Sequence, residues 1–349
     1  MRKHQHGGDI YTSECRIDFS ANINPLGMPE SVRLAACEGV ALSANYPDVR
    51  CRKLRGAIAE KEQVPAEWII CGNGAADLIF SVVQAEKPGK ALLTAPGFAE
   101  YEQALKAQGC AVQFYTLREE DGFSVREDIL ECLTEDLDMI FLCNPNNPTG
   151  VVIAQPLLEK ILSLCRERNI RVILDLCFVE FLENFREADM TYAAGEYQNL
   201  FILKAFTKTY AMAGLRLGYA VCADTGLLER IGQIRQPWGV SLPAQMAGEA
   251  ALKEEEYVQK ARALVAKERV WLSGELKKLG FQVYASAANF LFFRGREKLA
   301  DACRKQGILI RDCSNYRGLA DGCYRIAVRT HEENEALVQV LKKSTAANG

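Results

Sequence analysis

The sequence predicts an α/β protein in which a large domain, built on a mostly parallel seven-stranded sheet, is joined to a smaller α+β domain. Short apolar runs at residues 68–71, 91–94, 111–115, 139–143, 171–175, 200–203 and 217–222 alternate with amphipathic segments. That alternation is the pattern of parallel strands crossed by helices. Beyond Pro237 it gives way to a long helical stretch at about 255–279, short strands near 281–284 and 290–293, a helix near 297–306 and a closing helix from Glu332. A chain of 349 residues also exceeds what one small core supports, so two units are expected.

The runs at 139–143 and 171–175 read as two such strands of a parallel sheet. Between them Leu157, Leu158, Ile161, Leu162 and Cys165 recur at helical spacing, a stripe suited to covering one face of the sheet. In the long helical stretch Lys260, Lys267, Glu268, Glu275 and Lys278 are expected on the solvent side. Asn22, Asn24, Pro25, Gly27 and Pro29 mark a turn-rich arm. The expected division is an arm at 1–44 that contributes to the small domain, a large domain at 45–240 and the small domain at 241–349.

Composition narrows the function classes. Apolar residues make up 49% and charged residues 25%, ordinary globular usage that argues against disorder. The net charge of −3 is spread along the chain, leaving no electrostatic footprint for nucleic acid or an anionic membrane. No uncharged apolar run approaches the ~18 residues of a membrane span. The 13 cysteines are odd in number, form no C-x-x-C pair and sit mostly in apolar runs. They are expected as reduced, buried thiols, with no metal site, in a cytoplasmic protein. No apolar segment follows the basic residues 1–8, so no signal peptide is expected.

In open parallel sheets ligands bind beyond the carboxyl ends of the strands, and four motifs fall there. Gly72-Asn-Gly74-Ala-Ala-Asp77 follows a strand and opens a helix, so it reads either as a phosphate cradle of bare N–H groups or as a tight turn. It lacks the third glycine of a dinucleotide fingerprint. Asn144-Pro-Asn-Asn-Pro-Thr-Gly150 is turn-forming throughout, but a loop alone does not require Asn146 and Asn147 between flanking prolines. Asp175 ends an apolar strand, where an aspartate also serves as a helix cap. Lys208 follows the run at 200–203, with Arg216 eight residues on. A lone lysine is ordinarily a surface charge, whereas a desolvated one near a cation has a lowered pKa and attacks carbonyls.

Taken together, this order and these spacings resemble the class I/II pyridoxal-phosphate aminotransferases, over essentially the whole chain. The resemblance implies the aspartate-aminotransferase-like fold (fold type I) and pyridoxal 5'-phosphate as cofactor. It implies that Lys208 carries the cofactor through its amine, that Asp175 pairs with the pyridinium nitrogen and that Asn147 bonds the phenolic oxygen. Gly74, Ala75, Thr207 and Arg216 match the phosphate contacts, and Phe98 matches the aromatic ring stacked on the pyridine. Tyr46, in Asn45-Tyr-Pro-Asp48, matches a tyrosine that reaches the neighbouring subunit's phosphate, so a homodimer with shared active sites is implied. Many relatives carry a tyrosine three residues after the aspartate, whereas this chain has Phe178.

Four further segments look like those of threonine-phosphate decarboxylases of the cobalamin pathway. They are His6-Gly-Gly8-Asp-Ile, Asp18-Phe-Ser-Ala-Asn-Ile-Asn-Pro-Leu-Gly27, Ile310-Arg311-Asp-Cys-Ser-Asn-Tyr316 and Tyr324-Arg325-Ile-Ala-Val-Arg329. Histidinol-phosphate aminotransferases are next in pattern. This resemblance implies decarboxylation of L-threonine O-3-phosphate to (R)-1-amino-2-propanol O-2-phosphate and CO2, with transamination of histidinol phosphate or a related phosphorylated amine as the alternative. It assigns the substrate carboxylate to Arg325, with Asn147 nearby, and the substrate phosphate to Arg311, His6 and the Gly8 segment. Arg329 reads as a salt-bridge or surface arginine, and Asn289 either as lining the site or as a turn residue entering a strand.

Overall fold

The structure, a computed structural model, describes residues 6–12 and 14–346. Its strands are β1 (Ile17–Asp18), β2 (Ile69–Gly72), β3 (Lys90–Ala95), β4 (Ala111–Thr116), β5 (Met139–Cys143), β6 (Arg171–Asp175), β7 (Leu200–Ala205), β8 (Gly218–Val221), β9 (Gln282–Val283), β10 (Phe290–Arg294), β11 (Ile308–Leu309), β12 (Arg311–Asp312) and β13 (Cys323–Ala327). Seven of them form one sheet in the order β2-β8-β7-β6-β5-β3-β4. Neighbours from β7 through β4 run parallel, and β8 runs antiparallel to both β2 and β7. Each apolar run in this part of the sequence is a strand of that sheet.

The burial of β5 shows why those runs lack polar positions. Ile140 and Leu142 face the helix Gln155–Glu167, packing with Leu157, Leu158, Ile161, Leu162 and Cys165. Phe141 and Cys143 point the other way, into a layer with Leu78, Ile79 and Val82 of helix Ala75–Glu86. A strand between two helix layers has no solvent face, so period-two alternation disappears.

A second, antiparallel sheet has the order β12-β13-β10-β9. Helices Glu255–Lys278 and His331–Ala346 cover it through Val265, Leu272, Leu276, Leu337 and Leu341. One expected solvent position is corrected here: Glu268 is buried, because the His331 ring and the Asn334 amide both bond its carboxylate, at 3.0 and 3.1 Å. The arm touches both cores. Through β1 it pairs in parallel with β11, and Phe19 packs among the second sheet's residues. Farther along, Val32 and Ala36 of helix Glu30–Ala41 pack with Ala244 and Ala247 of helix Leu242–Ala251.

Behind the large sheet's active edge lies a buried ion cluster. The Lys204 ammonium on β7 is 2.7 Å from both Glu62 and Asp189, and Tyr219 OH donates to the other Glu62 oxygen at 2.5 Å. Burial works against the ammonium, but Glu62 and then Asp189 outweigh it, so its pKa is raised. Replacing Lys204 by methionine leaves two largely buried carboxylates without their cation. Urea denaturation is expected to show a loss of about 3–5 kcal/mol; a loss below about 1 kcal/mol would contradict a buried, cation-dependent cluster.

Candidate active site

The carboxyl ends of β3, β5, β6 and β7 open into one cleft, whose other wall comes from the arm and from β12 and β13. At one end β2 turns into helix Ala75–Glu86 through Gly74, which has φ +80°. A Cβ at Gly74 would lie 2.5 Å from an Arg216 guanidinium nitrogen and displace it, and the positive φ favours glycine in its own right. Thr207, in the short turn Phe206–Thr209 after β7, lines the cleft with Ala75 and Arg216. A guanidinium beside bare N–H groups at a helix start makes a site for a phosphate-sized anion.

At the floor, Asp175 closes β6 and is 5% exposed. One carboxylate oxygen accepts the Tyr101 hydroxyl at 2.5 Å, and the other accepts the Cys177 N–H at 2.9 Å. Burial, followed by the Asp175 charge, pushes the Tyr101 pKa well up, so the hydroxyl remains a donor. Tyr101 stacks on Phe141 at 4.8 Å and meets the edge of Phe98 at 5.5 Å. Phe98 is expected from the sequence, whereas Tyr101 is not; the available signal is its i+3 spacing at a helix start, which puts both rings on one face. Phe178 also lines the cleft and packs edge-on against Phe290 at 5.1 Å, offering no hydroxyl there.

Of the loop asparagines only Asn147 faces the cleft. Asn144 accepts the Ile153 N–H at 2.9 Å, and Asn146 donates to Pro96 O and Thr149 Oγ1, so both hold the loop together. The Asn144–Pro145 and Asn147–Pro148 bonds are cis. Asn147 Oδ1 accepts a hydrogen bond from Arg325, whose second nitrogen donates to Ser20 O at 2.8 Å. Lys208 sits between these groups. Burial first, then the charges of Arg325 and Arg216, lower its pKa to about 8, so a far larger share is neutral amine near neutral pH than for an ordinary lysine.

Arg311 and Arg325 are direct cross-strand partners in the β12–β13 pair, and both line the cleft. Arg311 donates to Asn315 Oδ1 at 2.8 Å and lies 5.2 Å from the Tyr316 ring centre. His6 also lines the cleft, its Nδ1 lying 3.2 Å from Glu100. Gly8 does not line it; its N–H donates to Ser20 Oγ. Tyr46 is 81% exposed and packs on Trp238 at 4.7 Å, away from this chain's own cleft. Arg329 bonds Glu333 and Asp18 O, a salt-bridge role, and Asn289 is fully buried, donating to Asn22 O rather than lining the cleft.

Residues 16–341 match the family model described as aminotransferase class I and II. The chain belongs to that family. Class I and II aminotransferases use pyridoxal phosphate and act on small amines, typically as dimers. The chain is 40% identical to the threonine-phosphate decarboxylase of Salmonella typhimurium, over 97% of this chain and 95% of that one. Among solved structures it resembles the histidinol-phosphate aminotransferase from Clostridium acetobutylicum, with a TM-score of 0.89 at 32% identity, covering 95% of this chain and 99% of the other. The aspartate aminotransferase of Thermus thermophilus, at 23% identity, shares the fold with a TM-score of 0.82 over 94% of this chain and 90% of its own. The fold is therefore aspartate-aminotransferase-like. Among the described residues no helix is long and apolar enough to cross a membrane.

Proposed function

We propose that the protein is a pyridoxal-phosphate-dependent decarboxylase that converts L-threonine O-3-phosphate to (R)-1-amino-2-propanol O-2-phosphate and CO2, a reaction of cobalamin biosynthesis. The observation that carries this reading is the Arg311–Arg325 pair. Arginines at directly opposed positions on neighbouring strands carry like charges that repel one another. A substrate carrying two anionic groups, a carboxylate and a phosphate, relieves that repulsion. The likeness to the Salmonella enzyme supports the same substrate class.

The residues present fit the cofactor. The Gly74 cradle against Arg216 suits its phosphate, Asp175 its ring nitrogen, Asn147 its phenolic oxygen, Phe98 one ring face and the low-pKa amine of Lys208 its aldehyde. When bound, the cofactor supplies an electron sink for the bond broken at the substrate's Cα. Arg325 then orients the substrate carboxylate bidentately, while Arg311 and His6 hold the phosphate. Which Cα bond breaks follows from that two-point grip, because orientation in the bound state selects the reaction. Lys208, freed from its covalent role, returns a proton to Cα. Phe178 leaves Asn147 as the side-chain donor to the phenolic oxygen.

In this reading two chains form a homodimer, and Tyr46, exposed beside Trp238, reaches the neighbour's phosphate site. Transamination of histidinol phosphate is the second reading, favoured by the likeness to the Clostridium structure. Dependence on a 2-oxoacid separates the two. Cofactor-loaded enzyme is expected to consume L-threonine O-3-phosphate with no 2-oxoacid present and to leave histidinol phosphate unchanged; a strict 2-oxoacid requirement would contradict the decarboxylase.

A further inference from the structure

We propose that Ser20 is a positioning residue that pins the His6–Gly8 segment over the mouth of the cleft and ties its position to Arg325. The proposal rests on the reading of Arg325 and His6 as substrate-binding groups. Ser20 is 5% exposed, and each of its polar atoms is used. Its hydroxyl donates to Asp18 Oδ1 at 2.6 Å and accepts the Gly8 N–H at 2.7 Å. Its own N–H donates to the same Asp18 oxygen at 2.7 Å, and its carbonyl accepts from Arg325 at 2.8 Å.

The backbone of the segment is shaped for this contact. A Cβ on Gly7 would lie 2.1 Å from Ser20 O, so a side chain there would drive the two strands of backbone apart. Gly8 has φ +86°, a conformation that favours glycine. At its other end the segment reaches the far wall, where His6 meets Glu100 in helix Ala99–Ala107, the helix that Phe98 begins. His6 is 57% exposed. A polar contact so open to water contributes little, so the more sheltered Ser20–Gly8 bond, not the Glu100 contact, fixes where the segment lies. A His6 held in advance loses less freedom when it meets the substrate phosphate. Because the Ser20 carbonyl bonds Arg325, one residue sets the spacing between the phosphate and carboxylate grips.

Ser20→Ala removes the hydroxyl and leaves the carbonyl bond to Arg325 in place. In the cofactor-loaded enzyme, hydrogen exchange of the Gly8 amide is expected to speed up about fivefold to tenfold. KM for L-threonine O-3-phosphate is expected to rise by a similar factor, with kcat within about twofold and the cofactor absorbance unchanged. If Ser20 acts through His6, the double variant Ser20→Ala/His6→Ala should show the KM of His6→Ala alone. Unchanged exchange in Ser20→Ala, or KM effects that simply multiply in the double variant, would overturn the proposal. A wild-type enzyme that does not turn over this substrate would overturn the substrate assignment instead, and the exchange comparison would still decide whether Ser20 is the pin.

Discussion

Lys208→Ala is expected to lower turnover by at least about 10⁴-fold, because one change removes both the covalent attachment point and the proton donor to Cα. The visible absorbance of lysine-bound cofactor should vanish with it. The cofactor-free enzyme gives a second readout. The Lys208 pKa is lowered from the ordinary lysine value of 10.5 to about 8 in the fold. Between those values the unfolded chain binds a proton that the folded chain does not, so stability rises as pH increases from about 8 to 10.5. Below about 8 the fold carries a poorly solvated charge at a cost. Alanine removes that dependence. Melting temperatures of the cofactor-free wild type and variant should therefore differ most near pH 7, in favour of the variant, and converge as pH approaches 10.5. Parallel melting curves across that range, with absorbance retained, would show that Lys208 is not the amine whose pKa the fold lowers.

Arg325→Gln is expected to reduce kcat/KM for L-threonine O-3-phosphate by about 10²–10³-fold, the effect of removing one partner from a desolvated charge pair. Arg325→Lys should recover little of it, since an ammonium cannot make the two parallel bonds of a guanidinium. The same substitution reports on Lys208. Arg325 is the largest charge contribution lowering that pKa. Its removal should move the Lys208 titration upward from about 8, so labelling of the amine by an acylating reagent at pH 8 becomes slower. Full activity in Arg325→Lys, or an unshifted labelling profile in Arg325→Gln, would contradict the assignment.

The large sheet was legible because its strands lie between two helix layers, which forces near-continuous apolar runs such as Met139–Cys143. Asp175 and Lys208 were legible because one ends such a run and the other follows one, where a parallel sheet opens its ligand site. Glu268 was not. A carboxylate at helical spacing reads as a solvent position until His331 and Asn334, more than sixty residues away, supply its partners. Residue chemistry alone does not distinguish Asn146 from Asn147: the family resemblance singles out Asn147, and loop geometry turns one toward Pro96 O and the other toward Arg325. The opposition of Arg311 and Arg325 depends on strand register, which the residues between them do not specify locally. Tyr101, in the helix after β3, needed the sheet to bring the end of β6 two strands away within reach before its hydroxyl found Asp175.

The most direct measurement follows the carboxyl carbon. Cofactor-loaded enzyme supplied with L-threonine O-3-phosphate labelled with ¹³C at the carboxylate, and with no 2-oxoacid, should release labelled CO2 in a one-to-one ratio with unlabelled aminopropanol phosphate identified by mass. Label retained in a keto acid, with cofactor converted to its amine form and no CO2 evolved, would contradict the decarboxylase reading.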